Sequence, residues 1–465
     1  MTEPGAADLI FVVHRLTPPA RLAAVSRTCA AHRITLLTTH HLFRHERTAL
    51  AATLAPAVVT FRTFAELSSD TALADLDDAT TTSLRAAPPA RSAYTDVFQH
   101  RMTRRKNAAV RAALLATGTV GRIFAAHGLG IDGPLWRQHG ATLLEPSPWL
   151  APLRRTALWQ GLRAWRTPLP ATGTIVHDGP VGYLFPGGLR RLRLRPGIAP
   201  TTRPLRTALA DPSVRFIGTT LHDNPAAAHR LGRPVRVFVD GHLPTNYPRT
   251  YIDALSDSEF VCPDPFSVRW LSRHGCPTLP APAFIDPGRF SPALPPATLR
   301  TLVCLLNHTG DWSALIHRSD TDLLAEAFAQ LALAHPALHF VLRPHPGMDH
   351  PRHEGPGALE RLAALVRATA TPNLEFSRGP LADDLTRGDL FVSEYSATLI
   401  DVWRAGKLGL VVNLTGRRSF MQDFTDLGFP SVSAAAAILP AVADPVVFAA
   451  RQSAAAAAYN ALLAP

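Results

Sequence analysis

Two short polar segments in the C-terminal part of the chain carry the side chains best suited to chemistry. The sequence Arg-Pro-His-Pro (residues 343–346) follows apolar residues 340–342, and Ser-Glu-Tyr-Ser-Ala-Thr (residues 393–398) follows apolar residues 390–392. In open α/β sheets, ligands bind just outside the carboxyl ends of the strands. An imidazole, a guanidinium and several hydroxyls at two such ends predict a site for an anionic ligand, and we favour one that carries a phosphate.

The first segment combines a rigid turn with two groups that bind phosphate. Its prolines stiffen the backbone and remove two amide donors. Arg343 would meet a phosphate as a two-pronged donor, and His345 would donate a hydrogen bond or act as an acid. A stiff surface turn with a chance histidine is the alternative. His350 and His353 follow, but only Glu354 could complete a metal site with them, so we expect no bound metal.

The second segment favours an anion at the start of a helix. A helix predicted to begin at Ala397 places Ser396 at its N-cap. The free backbone N–H groups of that first turn, with the hydroxyls of Ser396 and Thr398, would bind an anion. Glu394 would accept a hydrogen bond from a ribose hydroxyl. Ordinary helix capping without a ligand is the alternative.

The elements that must position these residues alternate between strand and helix. Strand-like runs occur at residues 9–13, 34–38, 174–177, 214–218, 235–240, 259–262, 302–306, 339–342, 390–393 and 410–413. Helical stretches separate many of them, which predicts an α/β fold with parallel, doubly wound sheets. We expect two Rossmann-like domains facing a cleft, residues 1–285 with insertions and residues 286–444. A proline-dense stretch at residues 277–296 joins them, and the Ala-rich helix 445–465 is expected to pack back on the first domain.

The composition excludes several classes of protein. A chain of 465 residues needs more than one ordinary core. Its four cysteines are scattered with no Cys-x-x-Cys pair, so we predict neither a zinc site nor a disulfide framework. No apolar run is long enough to span a bilayer, and the amino terminus has acidic residues where a secretory signal has basic ones. We therefore expect a cytoplasmic protein.

The net charge of +11 bears on partners rather than on fold. Arginines cluster in the first half, and within residues 153–166 they are interleaved with Trp159 and Trp165. That pattern suits peripheral contact with an anionic membrane surface, here the inner face of the cytoplasmic membrane. A solvated helix with two packed tryptophans explains it equally. No recognised nucleic-acid-binding module accompanies the charge, so we expect no nucleic acid partner.

Residues 340–407 resemble the C-terminal half of CDP-glycerol glycerophosphotransferases, GT-B enzymes that build polymers of the teichoic-acid type. The resemblance rests on residues 343–346, on the stretch 388–398, on Asp401 and on the Gly-Lys pair at 406–407. Where that family has an aspartate and a second serine, this chain has Glu394 and Ala397. The resemblance implies a GT-B-like architecture whose second domain binds a nucleotide-activated donor.

A second resemblance concerns the first half of the chain. His-Asp-Gly at residues 177–179 is similar to the acidic-acidic-Gly motif of bacterial sialyl- and polysialyltransferases, GT-B enzymes that hold CMP with a His-Pro loop and a serine-containing loop. His177 replaces the first acidic residue, while Asp178 keeps the position of the general base. His242 is the rival, because the glycerophosphotransferases have a His-Gly loop in their first domain; here the order is Gly-His. A polar turn is the ordinary alternative for Asp178.

Together the resemblances imply a metal-independent transferase with no cofactor beyond its donor, which would be CDP- or CMP-linked. The implied donor-binding residues are Arg343, Ser393, Glu394, Ser396, Thr398 and Asp401. His345 would stabilise or protonate the leaving phosphate, and Asp178 or His242 would deprotonate a hydroxyl of a polymer or lipid-linked acceptor of the cell envelope or capsule. The alternatives are a glycosyltransferase that uses another sugar nucleotide and a non-catalytic binding protein with the same fold.

Overall fold

Strands and helices alternate through the described parts of the chain. The computed structural model describes residues 8–13, 19–28, 32–38, 41–63, 259–262, 264–273, 275–276, 278–279, 288–307, 321–349, 357–414 and 421–463. It also describes short strands at 122–125, 142–143, 174–177, 199–202, 216–220 and 235–238. These strands form three sheets in which every described pairing of neighbours is parallel.

The first sheet has the strand order β3-β2-β1-β4-β5. Its elements are β1 (Asp8–Val13), α1 (Pro19–Thr28), β2 (Arg33–Thr38), α2 (Arg44–Leu54), β3 (Val58–Thr63), β4 (Arg122–Ala125) and β5 (Thr142–Leu143). Chain order reverses between β1 and β4, which is typical of a doubly wound sheet.

The second sheet has the strand order β11-β10-β9-β8-β6-β7. Its elements are β6 (Thr174–His177), β7 (Ala199–Thr202), β8 (Phe216–Thr220), β9 (Val235–Phe238), β10 (Glu259–Val261), α3 (Pro265–Arg273) and β11 (Thr278–Leu279). Counted within this sheet, the order is 2-1-3-4-5-6, so the reversal falls between β6 and β8.

The third sheet has the strand order β14-β13-β12-β15-β16-β17. Its strands are β12 (Thr301–Leu305), β13 (His339–Arg343), β14 (Leu374–Phe376), β15 (Leu390–Ser393), β16 (Leu408–Val412) and β17 (Ser431–Val432). Its helices are α4 (Thr321–Ala334), α5 (Ala358–Thr369), α6 (Leu381–Arg387), α7 (Thr398–Arg404), α8 (Gln422–Asp426), α9 (Ile438–Ala441) and α10 (Pro445–Ala461). Within this sheet the order is 3-2-1-4-5-6, and the switch point lies between β12 and β15.

The α/β prediction is confirmed by these parallel sheets. Residues 1–285 contribute the strands of two sheets, the first and the second. The described residues of the first and third sheets fall in one compact unit, and those of the second sheet fall in another. Strand order depends on packing between distant segments, which local sequence pattern does not encode.

The central strands of the third sheet are buried on both faces. Every residue of β15 and β16 is buried, and so are four of the five residues of β12. Continuous apolar runs of this kind are typical of strands covered by helices on both sides. Phe340 of β13 packs edge-on against Phe328 of α4, with ring centroids 5.1 Å apart. The rigid core therefore lies directly beneath the polar segments that follow β12, β13 and β15.

Helix α10 packs on the third sheet in its described contacts; its expected packing on the first domain stays a prediction. The side chain of Gln452 accepts a hydrogen bond from Gly409 N at 2.7 Å and donates to Lys407 O at 2.5 Å. Asn460 likewise accepts from Phe290 N and donates to Phe290 O, both at 2.8 Å. Residues 288–296, the described C-terminal part of the expected linker 277–296, are thus tied to this helix. Among the described residues, no single helix is long and apolar enough to cross a membrane.

An aromatic cluster lies where α7, α8 and α10 meet the segment that leads into β12. The rings of Phe290 and Tyr459 stack at 3.8 Å with an interplanar angle of 7°. Trp403 lies beside Phe429, with ring centroids 4.0 Å apart. The indole fits because residue 409 is glycine: a Cβ there would lie 2.5 Å from Trp403 Nε1.

We therefore expect Gly409→Ala to lower the free energy of unfolding by about 1–3 kcal/mol, since the added methyl group overpacks a buried strand. Urea denaturation followed by circular dichroism measures the change. Gly379→Ala is the matched control, because its Cβ would meet only the flexible carboxylate of Asp383, at 3.3 Å. Equal stabilities for the two variants would contradict this account of the Trp403 packing.

Candidate functional site

The polar segments lie at the carboxyl ends of β13 and β15, on either side of the end of β12, in the middle of the third sheet. The register pairs Leu305 with Arg343 and Cys304 with both Leu342 and Val392, so the three strands end at the same level. Neighbouring strands are about 4.8 Å apart, which places the ends of β13 and β15 roughly 10 Å from each other across the end of β12. The switch point, where open α/β sheets bind ligands, lies at these carboxyl ends.

His345 has a fixed orientation in the turn after β13. Gly347 N donates to His345 Nδ1 at 3.0 Å, and Met348 N donates to His345 O at 3.0 Å. Met348 is only 1% exposed and anchors the far end of the turn in the core. Since Nδ1 accepts a hydrogen bond, the proton of the neutral imidazole is on Nε2. The turn therefore makes His345 an Nε2–H donor, as a phosphate oxygen would require.

Arg343, the last residue of β13, contacts α6 and the segment that precedes it. Its Nη1 forms an ion pair with Asp384 of α6 and donates to Gly379 O at 3.0 Å. The arginine side chain is 12% exposed, and that of Asp384 is 1% exposed. Because Nη1 is engaged with α6, the guanidinium holds the end of β13 in place. The two-pronged contact of Arg343 with a phosphate stays a prediction.

Asp384 is the centre of the polar network behind the β13 turn. Its carboxylate accepts from Ser377 Oγ at 2.8 Å, from Arg387 Nη2 at 2.6 Å and from Arg343. Burial opposes ionisation, but the hydrogen bonds from Ser377, Arg387 and Arg343 outweigh it and lower the pKa of Asp384. The group is therefore a carboxylate at neutral pH that compensates two arginines.

Ser393 has a structural role at the switch point. Its hydroxyl donates to Leu305 O at 2.8 Å and accepts from Ser396 N at 3.0 Å. Helix α7 begins at Thr398, one residue later than predicted, and the hydroxyl of Ser396 accepts from Thr398 N at 3.3 Å. Ser393 therefore fixes the loop after β15 against β12. The N-cap of α7 is Ala397, whose side chain makes no capping hydrogen bond, so the prediction of Ser396 as the N-cap is wrong.

Glu394 places a buried carboxylate beside the end of β12. It is 2% exposed, and its negative charge, together with complete burial, raises the pKa of the Cys304 thiol well above its usual range. Burial contributes more than Glu394 to that shift. Cys304 is therefore an inert thiol at neutral pH. A carboxylate accepts hydrogen bonds from hydroxyl or amino groups and repels phosphate, so the two strand ends have different chemical preferences.

Some of the remaining predicted residues lie near the carboxyl ends of the strands, one lies at the amino ends, and two lie outside the described residues. Thr398 is half-buried at the start of α7, and Asp401, in the same helix, pairs with Arg404 at 3.7 Å. Lys407 lies at the amino end of β16, opposite the site, where its Nζ donates to Gly388 O at 3.3 Å. Asp178 and His242 lie outside the described residues; β6 ends at His177, directly before Asp178 in the sequence.

Sequence reasoning missed the residues that support the site. Asp384 holds Arg343 and itself accepts from Ser377. Thr321 at the start of α4 accepts from Asn307 N at 3.1 Å, which fixes the exit of β12. The pair Asp383-Asp384 at a helix start gives no sign of which carboxylate is buried. Within the described ranges, no three His, Cys, Asp or Glu side chains are grouped to hold a metal ion. His350, His353 and Glu354 lie outside those ranges.

Comparison with known proteins gives weak structural likenesses. No model of a protein family matches the chain, and no curated protein matches it significantly. The glycosyltransferase SnogD from Streptomyces nogalater is similar at 13% identity and a TM-score of 0.31, over 98% of this chain and 95% of that one.

Two further solved structures cover 98% of this chain. A UDP-GlcNAc 2-epimerase from Neisseria meningitidis bound to UDP-GlcNAc has 10% identity and a TM-score of 0.25 over 99% of its own length. An O-GlcNAc transferase from Thermobaculum terrenum has 9% identity and a TM-score of 0.27 over 64% of its length. Likenesses at these TM-scores carry no argument about function, and the fold is assigned from the sheet topology.

We expect Asp384→Asn to lower the free energy of unfolding at pH 7 by about 3 kcal/mol, because Arg343 loses its carboxylate partner and Arg387 keeps only Glu375. The folded-state pKa of Asp384 lies below its unfolded value of 3.8, so its contribution is complete above that value and is lost as the pH falls through the folded-state pKa. The stability difference from wild type should therefore narrow below about pH 4.

Urea denaturation at pH 7 and at pH 3 measures both effects. Asp383→Asn is the matched control, since the neighbouring carboxylate is exposed and should change stability little. A stability difference for Asp384→Asn that is small at pH 7, or that stays constant between the two pH values, would contradict the assigned network.

Proposed function

We propose that this chain is a metal-independent GT-B-type transferase. It would move a glycosyl or glycerophosphate group from a nucleotide-activated donor, CDP- or CMP-linked, to a cell-envelope or capsular polymer acceptor. The observation that carries the proposal is the switch point of the third sheet. There a fixed Nε2–H of His345 and a buried Glu394 carboxylate follow two strand ends roughly 10 Å apart.

The two strand ends suggest how the donor would be oriented. His345 donates a hydrogen bond to a phosphate oxygen and, when protonated, supplies a proton to the leaving nucleotide phosphate. Glu394 accepts from a ribose hydroxyl or an amino group of the base, since its negative charge disfavours the phosphate. The phosphate would therefore lie on the β13 side, with the nucleoside on the β15 side.

The remaining donor residues have supporting roles in this proposal. Arg343 and Ser393 hold the strand ends through Asp384 and Leu305 rather than offering all their donors to the ligand. Ser396 and Thr398 lie at the start of α7, where hydroxyl groups can contact the donor. Asp401 remains a proposed donor residue on the same helix.

The acceptor side of the proposal rests on the first half of the chain. Asp178, or alternatively His242, would remove the proton from the acceptor hydroxyl so that it can attack the donor. The acceptor would be polymeric or lipid-linked, with the protein in the cytoplasm or peripherally at the inner face of the cytoplasmic membrane. No cofactor takes part. A transferase for another sugar nucleotide and a non-catalytic nucleotide-binding protein are the alternatives that the experiments separate.

We expect cytidine-linked donors to raise the melting temperature of the wild-type protein, and His345→Ala to reduce that shift, since the phosphate loses its hydrogen-bond donor. Thermal-shift measurements with CDP-glycerol, CMP-sialic acid, CMP and UDP-sugars test this directly. His335→Ala is the matched control, because His335 is exposed at the end of α4, near the opposite edge of the sheet.

Each outcome of the thermal-shift experiment has a distinct meaning. A shift only with UDP-sugars would replace the cytidine-linked donor with another sugar nucleotide. No shift with any nucleotide, or an equal shift in His345→Ala and wild type, would rule out the proposed donor site. A shift without turnover would favour the non-catalytic binding protein.

We expect Asp178→Asn to lower the rate of transfer by 10²–10⁴-fold, roughly the contribution of a general base, while leaving the donor-induced thermal shift unchanged. A radiolabelled-donor transfer assay on the purified chain measures the rate, and His242→Ala is assayed in parallel. Loss of transfer only in His242→Ala would assign the base to His242 instead. Loss of transfer on addition of EDTA would contradict metal independence.

A further inference from the structure

The segment that joins β2 to α2 reaches into the helix layer of the third sheet. Phe43 is completely buried and belongs to the same hydrophobic cluster as Leu324 of α4 and Leu362 of α5. The guanidinium of Arg361, also on α5, lies 4.1 Å from the centroid of the Phe43 ring. Residues 41–47, which we name the docking segment, therefore place an aromatic side chain of the first sheet's connection in the core of the third sheet.

Arg361 holds the docking segment from the third-sheet side. Its Nε and Nη2 donate to the two carboxylate oxygens of Glu46, at 2.5 and 2.8 Å, and Nη2 also donates to His41 O at 2.9 Å. Its Nη1 donates to Asp322 of α4 at 2.7 Å. The arginine side chain is 13% exposed, so most of its charge is compensated inside the protein. A bidentate arginine–carboxylate pair of this kind fixes both distance and orientation.

Glu326 of α4 makes the reciprocal contact. Its carboxylate accepts from His41 Nε2 at 2.6 Å, from Arg44 N, and from Arg47 Nη2 at 3.4 Å. Burial opposes ionisation of Glu326, but these donors outweigh it and lower the pKa. The helices of the third sheet thus place one cation, Arg361, and one anion, Glu326, against the docking segment. Glu46 of the segment pairs with Arg361, and Arg47 pairs with Glu326.

We propose that the docking segment locks the first and third sheets into one rigid body. Separating the sheets would return Phe43 to water. It would also take Glu46 from Arg361, which would keep only Asp322 of α4 among its carboxylate partners here, and would take His41 and Arg47 from Glu326. These changes are unfavourable. Any opening or closing that accompanies ligand binding must therefore leave these two sheets together. The inference does not depend on the proposed transferase activity, because it rests only on contacts within this unit.

Hydrogen exchange on the full-length protein tests whether the docking segment holds the first and third sheets together. Arg361→Met keeps a long apolar side chain over Phe43 and removes the charge. We expect amides of residues 44–54 to exchange on the order of a hundredfold faster in this variant, while β12 and β15 keep their wild-type protection. Arg367→Met is the matched control on the same helix; that side chain is 63% exposed and pairs with Glu360 at the surface. It should leave exchange in residues 44–54 unchanged.

Two results would overturn the proposal. Exchange in residues 44–54 that is no faster in Arg361→Met than in Arg367→Met would show that the contacts do not hold the sheets together. Equal acceleration across β12 and β15 would show that Arg361 supports the third sheet itself. If Arg361→Met does not fold, Glu46→Gln removes the opposite charge from the docking segment and is expected to give the same local acceleration; its absence would also refute the lock.

Discussion

The hydroxyl of Ser393 connects the two strands between which the third sheet changes direction. It donates to the last residue of β12 and accepts from the loop after β15, and it is 1% exposed. The parallel ladder alone aligns strands but leaves the loops beyond them free. This one hydroxyl fixes where the loop begins, and Glu394, Ser396 and the start of α7 take their positions from it. The start of the loop after β15 is therefore held against the sheet by a hydrogen bond to β12.

Two buried charges in the compact unit of the first and third sheets, Asp384 and Arg361, each have partners on more than one element. Asp384 joins α6 to β13 and the end of β14, and Arg361 joins α5, α4 and the docking segment. An ion pair within a single helix would satisfy charge with little effect on tertiary structure. Pairs between elements fix relative orientation, because breaking one leaves an uncompensated charge in the interior. Polar groups thus determine how the apolar layers meet.

The sequence predicts the bounds of some strands well and the partners of side chains poorly. Residues 174–177 and 390–393 are strands with the bounds expected from sequence, since continuous apolar runs between turn residues are typical of buried parallel strands. Helix α2 is polar in sequence and β14 has only three residues, so neither gives a clear periodic signal. The placement of Arg343 and His345 at a strand end follows from pattern. The capture of Arg343 by Asp384 depends on residues 41 positions apart, which pattern does not reveal.

The docking segment also sets an order for folding during synthesis. Glu46 and Arg361 are 315 residues apart in the sequence, so Phe43 emerges from the ribosome long before the helices that bury it exist. Contacts of such separation form slowly, because a long loop must close first. The first sheet can pair its own strands early, yet one aromatic side chain and two charges stay in water until α4 and α5 are made. A nascent chain of this protein would therefore offer molecular chaperones a defined binding target for most of its translation.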